Sequence, residues 1–495
     1  MEKAGIPTVT FFYEDQLNYH KQTALKNGVP GLRYCMPPRI GTAEETVGAY
    51  YDNIVPQLMD PLTQEEQQSG LYSPPAPPRI AYEGTINEAH AFFEQTTLVE
   101  NCRNCPIATW TDGLPIKIPT EEAVAEMLTG TSHDPSEPVA TQYPSQGWGG
   151  SQPAGTPVIF ARSYTATVEK AAICAVMAGC KPEYLPIVLA IATAGGGTTN
   201  CPGTSSMIAC YYFVSGPIAK EIGMNPGQNS MDVGNYANCT IGRTGALMSI
   251  NFGGCITGLV RTDSGNPMHS VCFAEDLEGL PQGWVGFNQE ESHFIDTGEK
   301  DDNGNAVLEQ VNYTANESVL GKGFSWGFNT GWFSFPGYYR SLNSGTMGIA
   351  RWLGVEGVPG KYNWLEAVLP MIQRVSPTAG SAFFVLHPNL AELLRTYGFT
   401  SKQEVYDWMY EEWTIPVYDF YNSGFFDHMT DGGNSRERTN PDGLTYNELL
   451  ATNPNYPLHS FNNSCIVVAD GFADEHWYYS MFGGRPGGYP IDVWR

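Results

Sequence analysis

Positive charge is scarce in this 495-residue chain: 26 Lys and Arg stand against 52 Asp and Glu, a formal net charge of −26. Such a field repels phosphate backbones and anionic lipid, so neither nucleic acid nor a membrane is expected as a partner. Long apolar runs are missing too, and none approaches the roughly 18 uninterrupted residues of a transmembrane helix. The opening residues MEKAGIPTVTFFYED lack a basic n-region, an apolar h-region and a small-residue cleavage site, and the expected location is cytoplasmic. In that compartment the 11 Cys are expected as free thiols, and the N-x-S/T triplets at 312–314 and 462–464 carry no glycosylation meaning. No G-x-S-x-G, kinase or zincin signature occurs. The Gly-rich stretch from Gly195 to Asn200 lacks the Lys of a P-loop and the spacing of a dinucleotide fingerprint, and reads as a loop.

What is present is a globular composition, 42% hydrophobic, with 54 Gly and 36 Pro, both above average usage. The length predicts two or three domains with many tight turns. Residues 6–13 and 32–37 read as strands separated by a polar helix, and the Thr42–Glu45 capping box starts a second helix with Ile54, Leu58 and Met59 on one face. This is half of a doubly wound α/β domain, residues 1–62. A Pro-rich linker (63–83) leads to a central α/β core domain (84–295). There, capping residues Thr85 and Thr120 open helices, and two apolar helices at 167–179 and 182–194 are expected to be buried. Strands are predicted at 207–214 and 269–276, and Ser215-Gly216-Pro217 reads as a helix start. Residues 296–380, rich in Gly and aromatics, read as an insertion or lid. The segment 381–495 reads as a C-terminal α/β unit, with strands at 381–386 and 465–471 and a capping box at Ser401–Glu404.

Several segments taken together resemble the UGSC family of (seleno)proteins: MEKAGIPTV (1–9), GTINEAHAFF (84–93), WTDGLPIKIPTEEAVAEML (110–128), TVEKAAICAVMAGCKPEYLPIVLA (167–190), GPIAKEIGMNPGQN (216–229), ANCTIGR (237–243) and CFAED (272–276). The resemblance extends to about residue 294. It implies a Sec- or Cys-Gly-Ser-Cys motif a short helix upstream of the segment that resembles MEKAGIPTV. No Cys-Gly-Ser-Cys occurs here. The expectation is that Met1 falls inside or just after the motif's helix, with the motif on a partner subunit or on a missing N-terminal segment. The resemblance implies an architecture and redox chemistry, not a substrate.

Cys102-Arg103-Asn104-Cys105 is the single C-x-x-C, a spacing that suits an exchangeable disulfide or half of a zinc site; no second C-x-x-C or H-x-x-x-H completes the latter. Arg103 favours the thiolate by its charge. Glu169 and Lys170 sit on a mostly apolar helix, Glu169 as a candidate general acid/base and Lys170 as a carboxylate or oxyanion holder. Cys180 is expected near a helix start, where the dipole favours the thiolate. Glu275 and Asp276 follow a strand, at the edge where α/β ligands bind. Arg243 can hold a carboxylate bidentately, and His269 and His476 are candidate site histidines. Asn229 belongs to a cluster with Asn225, Asn235 and Asn238 that either lines a polar pocket or caps turns. The function expected is that of an enzyme subunit performing thiol- or selenol-assisted redox or lyase chemistry on a small polar molecule, with no evident cofactor and zinc as the one candidate metal. The alternatives are a redox-independent hydrolase or lyase using Glu169, Glu275 and His269, and a non-catalytic scaffold for a motif-bearing partner.

Overall fold

The computed structural model describes residues 2–12, 17–26, 28–29, 31–36, 42–67, 78–147, 150–160, 165–195, 208–231, 233–258, 272–326, 382–396, 398–412, 414–422, 444–459, 464–469, 477–481 and 485–495. The architecture is mixed α/β, with helices and several small sheets. None of its described helices is long and apolar enough to cross a membrane. The chain divides into two compact units. The first comprises Met1–Ser206, Arg243–Ser270 and Val493–Arg495; the second comprises Met207–Gly242 and Val271–Asp492.

The first unit opens with the expected strand–helix–strand–helix. Strands β1 (Thr10–Phe11) and β2 (Tyr34–Cys35) pair in parallel, with helix α1 (Leu17–Lys26) between them and α2 (Ala43–Met59) after them. Both arms of the Thr42–Glu45 capping box are made. Part of the apolar face expected on α2 is not buried, since Leu58 is 41% and Met59 79% exposed. The linker begins later than expected, because Gln64–Gln67 form a short helix, α3, whose Glu66 is buried. Arg33 explains this: its guanidinium donates to both Glu66 oxygens, to Gln57 O, and to Asp60 O (3.0 Å) and Pro61 O (2.8 Å), satisfying carbonyls at the end of α2 that no helical amide reaches.

These hydrogen bonds from Arg33, opposed by burial, hold the Glu66 carboxyl down at about 2. The folded value lies below the unfolded value of roughly 4.3, so the contact's stabilisation is complete above that pH and is lost as pH falls through about 2. An NMR titration should find Glu66 ionised at pH 3. Arg33→Gln should return its midpoint towards the unfolded value. A wild-type midpoint near the unfolded value would contradict the assignment.

Helix α4 (Ile86–Phe93) starts on its Thr85–Glu88 box and leads into a hairpin of β3 (Thr96–Val99) and β4 (Cys105–Ala108). Thr120 caps α5 (Glu121–Leu128), and a short hairpin pairs β5 (Ser145–Gly147) with β6 (Gly150–Gln152). Two helices then form the core, as their composition predicts. In α6 (Val168–Ala178), Ala171, Ala172, Ala175 and Val176 are wholly buried, and every residue of α7 (Leu185–Thr193) is buried.

In the second unit, β7 (Ile208–Ser215) pairs in parallel with β8 (Cys272–Ala274) and antiparallel with β11 (Val319–Trp326). Between β8 and β11 lie the short helix α10 (Phe287–Glu290) and a hairpin of β9 (Ser292–Lys300) and β10 (Ala306–Asn312). Of the segment expected as an insertion or lid, residues 296–326 thus carry most of β9 and all of β10 and β11, and β11 lies inside the four-stranded sheet of the unit. Residues 327–380 lie outside the described residues. Ser215 does not cap a helix either. It ends β7, while α8 (Ile218–Glu221) is capped by the Ser318 hydroxyl, which accepts from Ile218 N at 3.2 Å. Helix α9 (Tyr236–Asn251) passes from this unit into the first at Arg243.

A second sheet centres on β12 (Ala382–Leu386), followed by α11 (Pro388–Thr396) and α12 (Lys402–Glu412). Next come β13 (Thr414–Pro416), α13 (Val417–Asn422), α14 (Tyr446–Thr452) and β14 (Pro457–His459). Strand β15 (Cys465–Val468) pairs in parallel with β12 and β16 (Trp477–Met481) antiparallel; β17 (Gly487–Pro490) joins the first sheet beside β11. Phe383–Leu386 of β12 and Cys465–Val468 of β15 are all buried, as strands covered on both faces require. Stacked rings join the two sheets: Phe383 lies 4.7 Å from Tyr211 and 5.4 Å from Phe213 between centroids.

Candidate functional site

The C-x-x-C spans the end of the β3–β4 hairpin loop and the first residue of β4, Cys105. Val99 is the last paired residue of β3 and Cys105 its partner, so the loop must reverse in five residues. It does so with one 3-10 turn, Glu100–Cys102, closed by Arg103 N donating to Glu100 O (2.8 Å) and Asn104 N to Val99 O (2.9 Å). Both residues between the cysteines are left-handed, Arg103 at φ 57° and Asn104 at φ 58°. Asn tolerates this region; Arg does not, at a cost of roughly 1–2 kcal/mol. Two left-handed central residues bring the flanking Cα atoms within about 7 Å, as in a type I′ turn. That is close to the separation, up to roughly 6.8 Å, that a disulfide spans.

Both sulfurs are free thiols in differing surroundings, Cys105 exposed and Cys102 partly covered. Gly258 covers Cys102: at φ +74° it comes so near that an added Cβ would fall 2.6 Å from Cys102 Sγ and 2.6 Å from Val99 Cγ1. Only glycine meets both the backbone angle and the approach. Among the described residues no group of three or more His, Cys, Asp or Glu is arranged to hold a metal ion.

The other candidates of the first unit have found internal partners. Glu169, in the first turn of α6, pairs with Arg79 (2.6 Å), not with Lys170, which is exposed; Arg79 also reaches Glu121 at 3.0 Å. Arg79, with its side chain 61% exposed, makes this a surface cluster. Cys180 is buried, with its sulfur 3.3 Å from the Thr244 hydroxyl, and the element that follows it is a three-residue 3-10 turn. Arg243 is bidentate, but its carboxylate is Asp112, through two bonds of 2.8 Å, with further bonds to Leu114 O and Pro115 O.

In the second unit, Asn225, Asn229, Asn235 and Asn238 cap turns. Asn225 N donates to Asn238 Oδ1 (3.0 Å), Asn225 Nδ2 to Asn235 Oδ1 (2.6 Å) and Asn229 Nδ2 to Val233 O (3.0 Å). Asp276 likewise accepts from Gly279 N at 3.0 Å. His269 and His476 lie outside the described residues.

Glu275 directly follows β8 as expected, but at the centre of a buried charge network that the sequence does not announce. Its Oε1 meets Lys402 Nζ at 3.0 Å, and its Oε2 accepts from the Ser215 hydroxyl (2.5 Å) and Phe287 N (2.8 Å). Lys402 lies 3.8 Å from Glu290, which also accepts from Arg485 (2.9 Å) and from the Tyr406 hydroxyl (3.3 Å); Arg485 reaches Glu291 at 2.8 Å. Burial pulls the Lys402 ammonium down, but Glu275 and Glu290 outweigh it and raise it above its ordinary value. Burial pushes the Cys465 thiol far up, despite the pull of Arg485 and Lys402. Lys402, Glu290, Glu291, Tyr406 and Arg485 were not legible as partners. They lie from 15 to 210 positions beyond Glu275, the three from Lys402 on more than 120 away, and the one local signal is the capping box beside Lys402.

No protein-family model, no curated protein and no solved structure matches the chain.

Proposed function

We propose that the chain is an enzyme subunit whose Cys102–Cys105 turn performs thiol-based redox chemistry on a small polar molecule. The observation that carries this reading is the pair of left-handed residues, one of them Arg, between an exposed and a partly covered thiol. Backbone strain of this kind persists where a site requires it, and here it sets the two sulfurs on one tight turn. Glu275, Arg243 and Glu169 are engaged with internal partners, which favours the thiols over an acid–base mechanism built on those residues. The reading agrees with the redox chemistry implied by the UGSC resemblance, which we retain as a proposal, together with a partner bearing the Sec/Cys-Gly-Ser-Cys motif.

In thiol–disulfide redox buffers, site-resolved mass spectrometry should show Cys102 and Cys105 passing reversibly between two thiols and one disulfide. Cys105→Ser and Cys102→Ser should each abolish that transition. Cys174, fully buried and with its thiol pushed up to about 12 by burial, should stay unlabelled until the protein unfolds. Failure of the wild-type pair to form a disulfide under oxidising conditions would overturn the reading.

A further inference from the structure

Arg103 stands out in a protein of net charge −26, because its exposed guanidinium makes no hydrogen bond or ion pair among the described residues. Its left-handed backbone fixes it on the same tight turn as the two sulfurs. By contrast, Arg33, Arg79, Arg243 and Arg485 are each bound to carboxylates of this chain. The two sulfurs are inequivalent as well. Cys105 faces solvent, whereas Cys102 is approached from one side by Gly258.

We propose that this turn takes a small disulfide bearing a carboxylate, with Arg103 holding the carboxylate, Cys105 as the attacking sulfur and Cys102 as the resolving one. The proposal rests on the thiol reading of the site and adds a substrate class and a direction to it. Cys105, as thiolate, attacks one substrate sulfur, forming a mixed disulfide and expelling the other half as a thiolate that takes up a proton. Cys102 then attacks Cys105 Sγ, closing the internal disulfide and expelling the second half. The two thiols of the turn are oxidised and the substrate disulfide gains two electrons; an external dithiol returns the turn to its reduced state by the same exchange.

Two probes test this on the full chain: dithiobis(nitrobenzoate), which carries carboxylates, and neutral dithiodipyridine. In Cys102→Ser a mixed disulfide should accumulate on Cys105, as mapped by mass spectrometry, whereas in the wild type it should be replaced by the internal disulfide. Arg103→Gln should slow capture of the anionic probe about three- to tenfold, the worth of one exposed charge at contact, and leave the neutral probe unaffected. Arg103→Lys should retain most of the rate, and added salt should remove the difference between the probes. A mixed disulfide that persists on Cys102 in Cys105→Ser, with none on Cys105 in Cys102→Ser, would overturn the direction. Equal slowing of both probes by Arg103→Gln would overturn the carboxylate assignment. Either result leaves a wild-type disulfide in place and so differs from failure of the thiol reading, in which no disulfide forms.

Discussion

Lys402→Met is expected to destabilise the second unit by about 3–5 kcal/mol, because it leaves Glu275 as a buried, unpaired carboxylate. Both side chains of the pair are essentially inaccessible, at 1% and 0%. Glu275 keeps its bonds from Ser215 and Phe287 N, but those neutral donors do not replace an ammonium. The companion variant Lys402→Met/Glu275→Gln removes both charges and should recover more than half of the loss, since a neutral amide can still accept from Ser215 and Phe287 N. Urea unfolding followed through signals of the second unit would measure both. Equal destabilisation in the single and double variants would show that the charge is not the cause. The pH dependence has a definite sign. The folded Lys402 value is raised above roughly 10.4, so the stabilisation is complete below that pH and is lost only as pH rises through the folded value. Wild type and Lys402→Met should therefore differ fully at neutral pH and converge only in strong alkali.

Gly321→Val should have a comparable effect for a steric reason. Gly321 on β11 lies directly opposite Phe213 on β7, and the ring lies over it: an added Cβ would fall 2.1 Å from Phe213 Cζ. The ring has no alternative position. It stacks on Phe273 (5.7 Å) and Phe383 (5.4 Å) and meets Phe287 edge-on at 4.7 Å. Overpacking in a full core costs roughly 1–3 kcal/mol and more where nothing yields, so a loss of at least about 3 kcal/mol is expected. Phe213→Ala in the same chain frees the space, and the double variant should be more stable than the sum of the single effects predicts, by about 1–3 kcal/mol. Strict additivity would show that Phe213 and Gly321 do not compete for the same volume. Gly323 repeats the arrangement under Tyr211.

The sequence by itself determined most of the local structure. The Thr42, Thr85 and Thr120 caps, the buried α6–α7 pair and the apolar runs of β7, β12 and β15 all follow from side chains acting on neighbours within four residues or from hydrophobicity accumulated over a short run. The C-x-x-C was legible as a thiol pair for the same reason, being four residues long. What the sequence could not supply was the partner of each charged group. Glu169 meets Arg79, 90 positions away, rather than adjacent Lys170. Arg243 meets Asp112, 131 positions away, and Glu275 meets Lys402, 127 positions away. Ion pairs form wherever the packed elements bring opposite charges together, and their strength depends on distance and burial rather than on spacing along the chain. The same holds for the site: two thiols three residues apart are visible in the sequence, whereas the left-handed turn between them and the packing of Gly258, far downstream in the chain, over one sulfur belong to the folded structure.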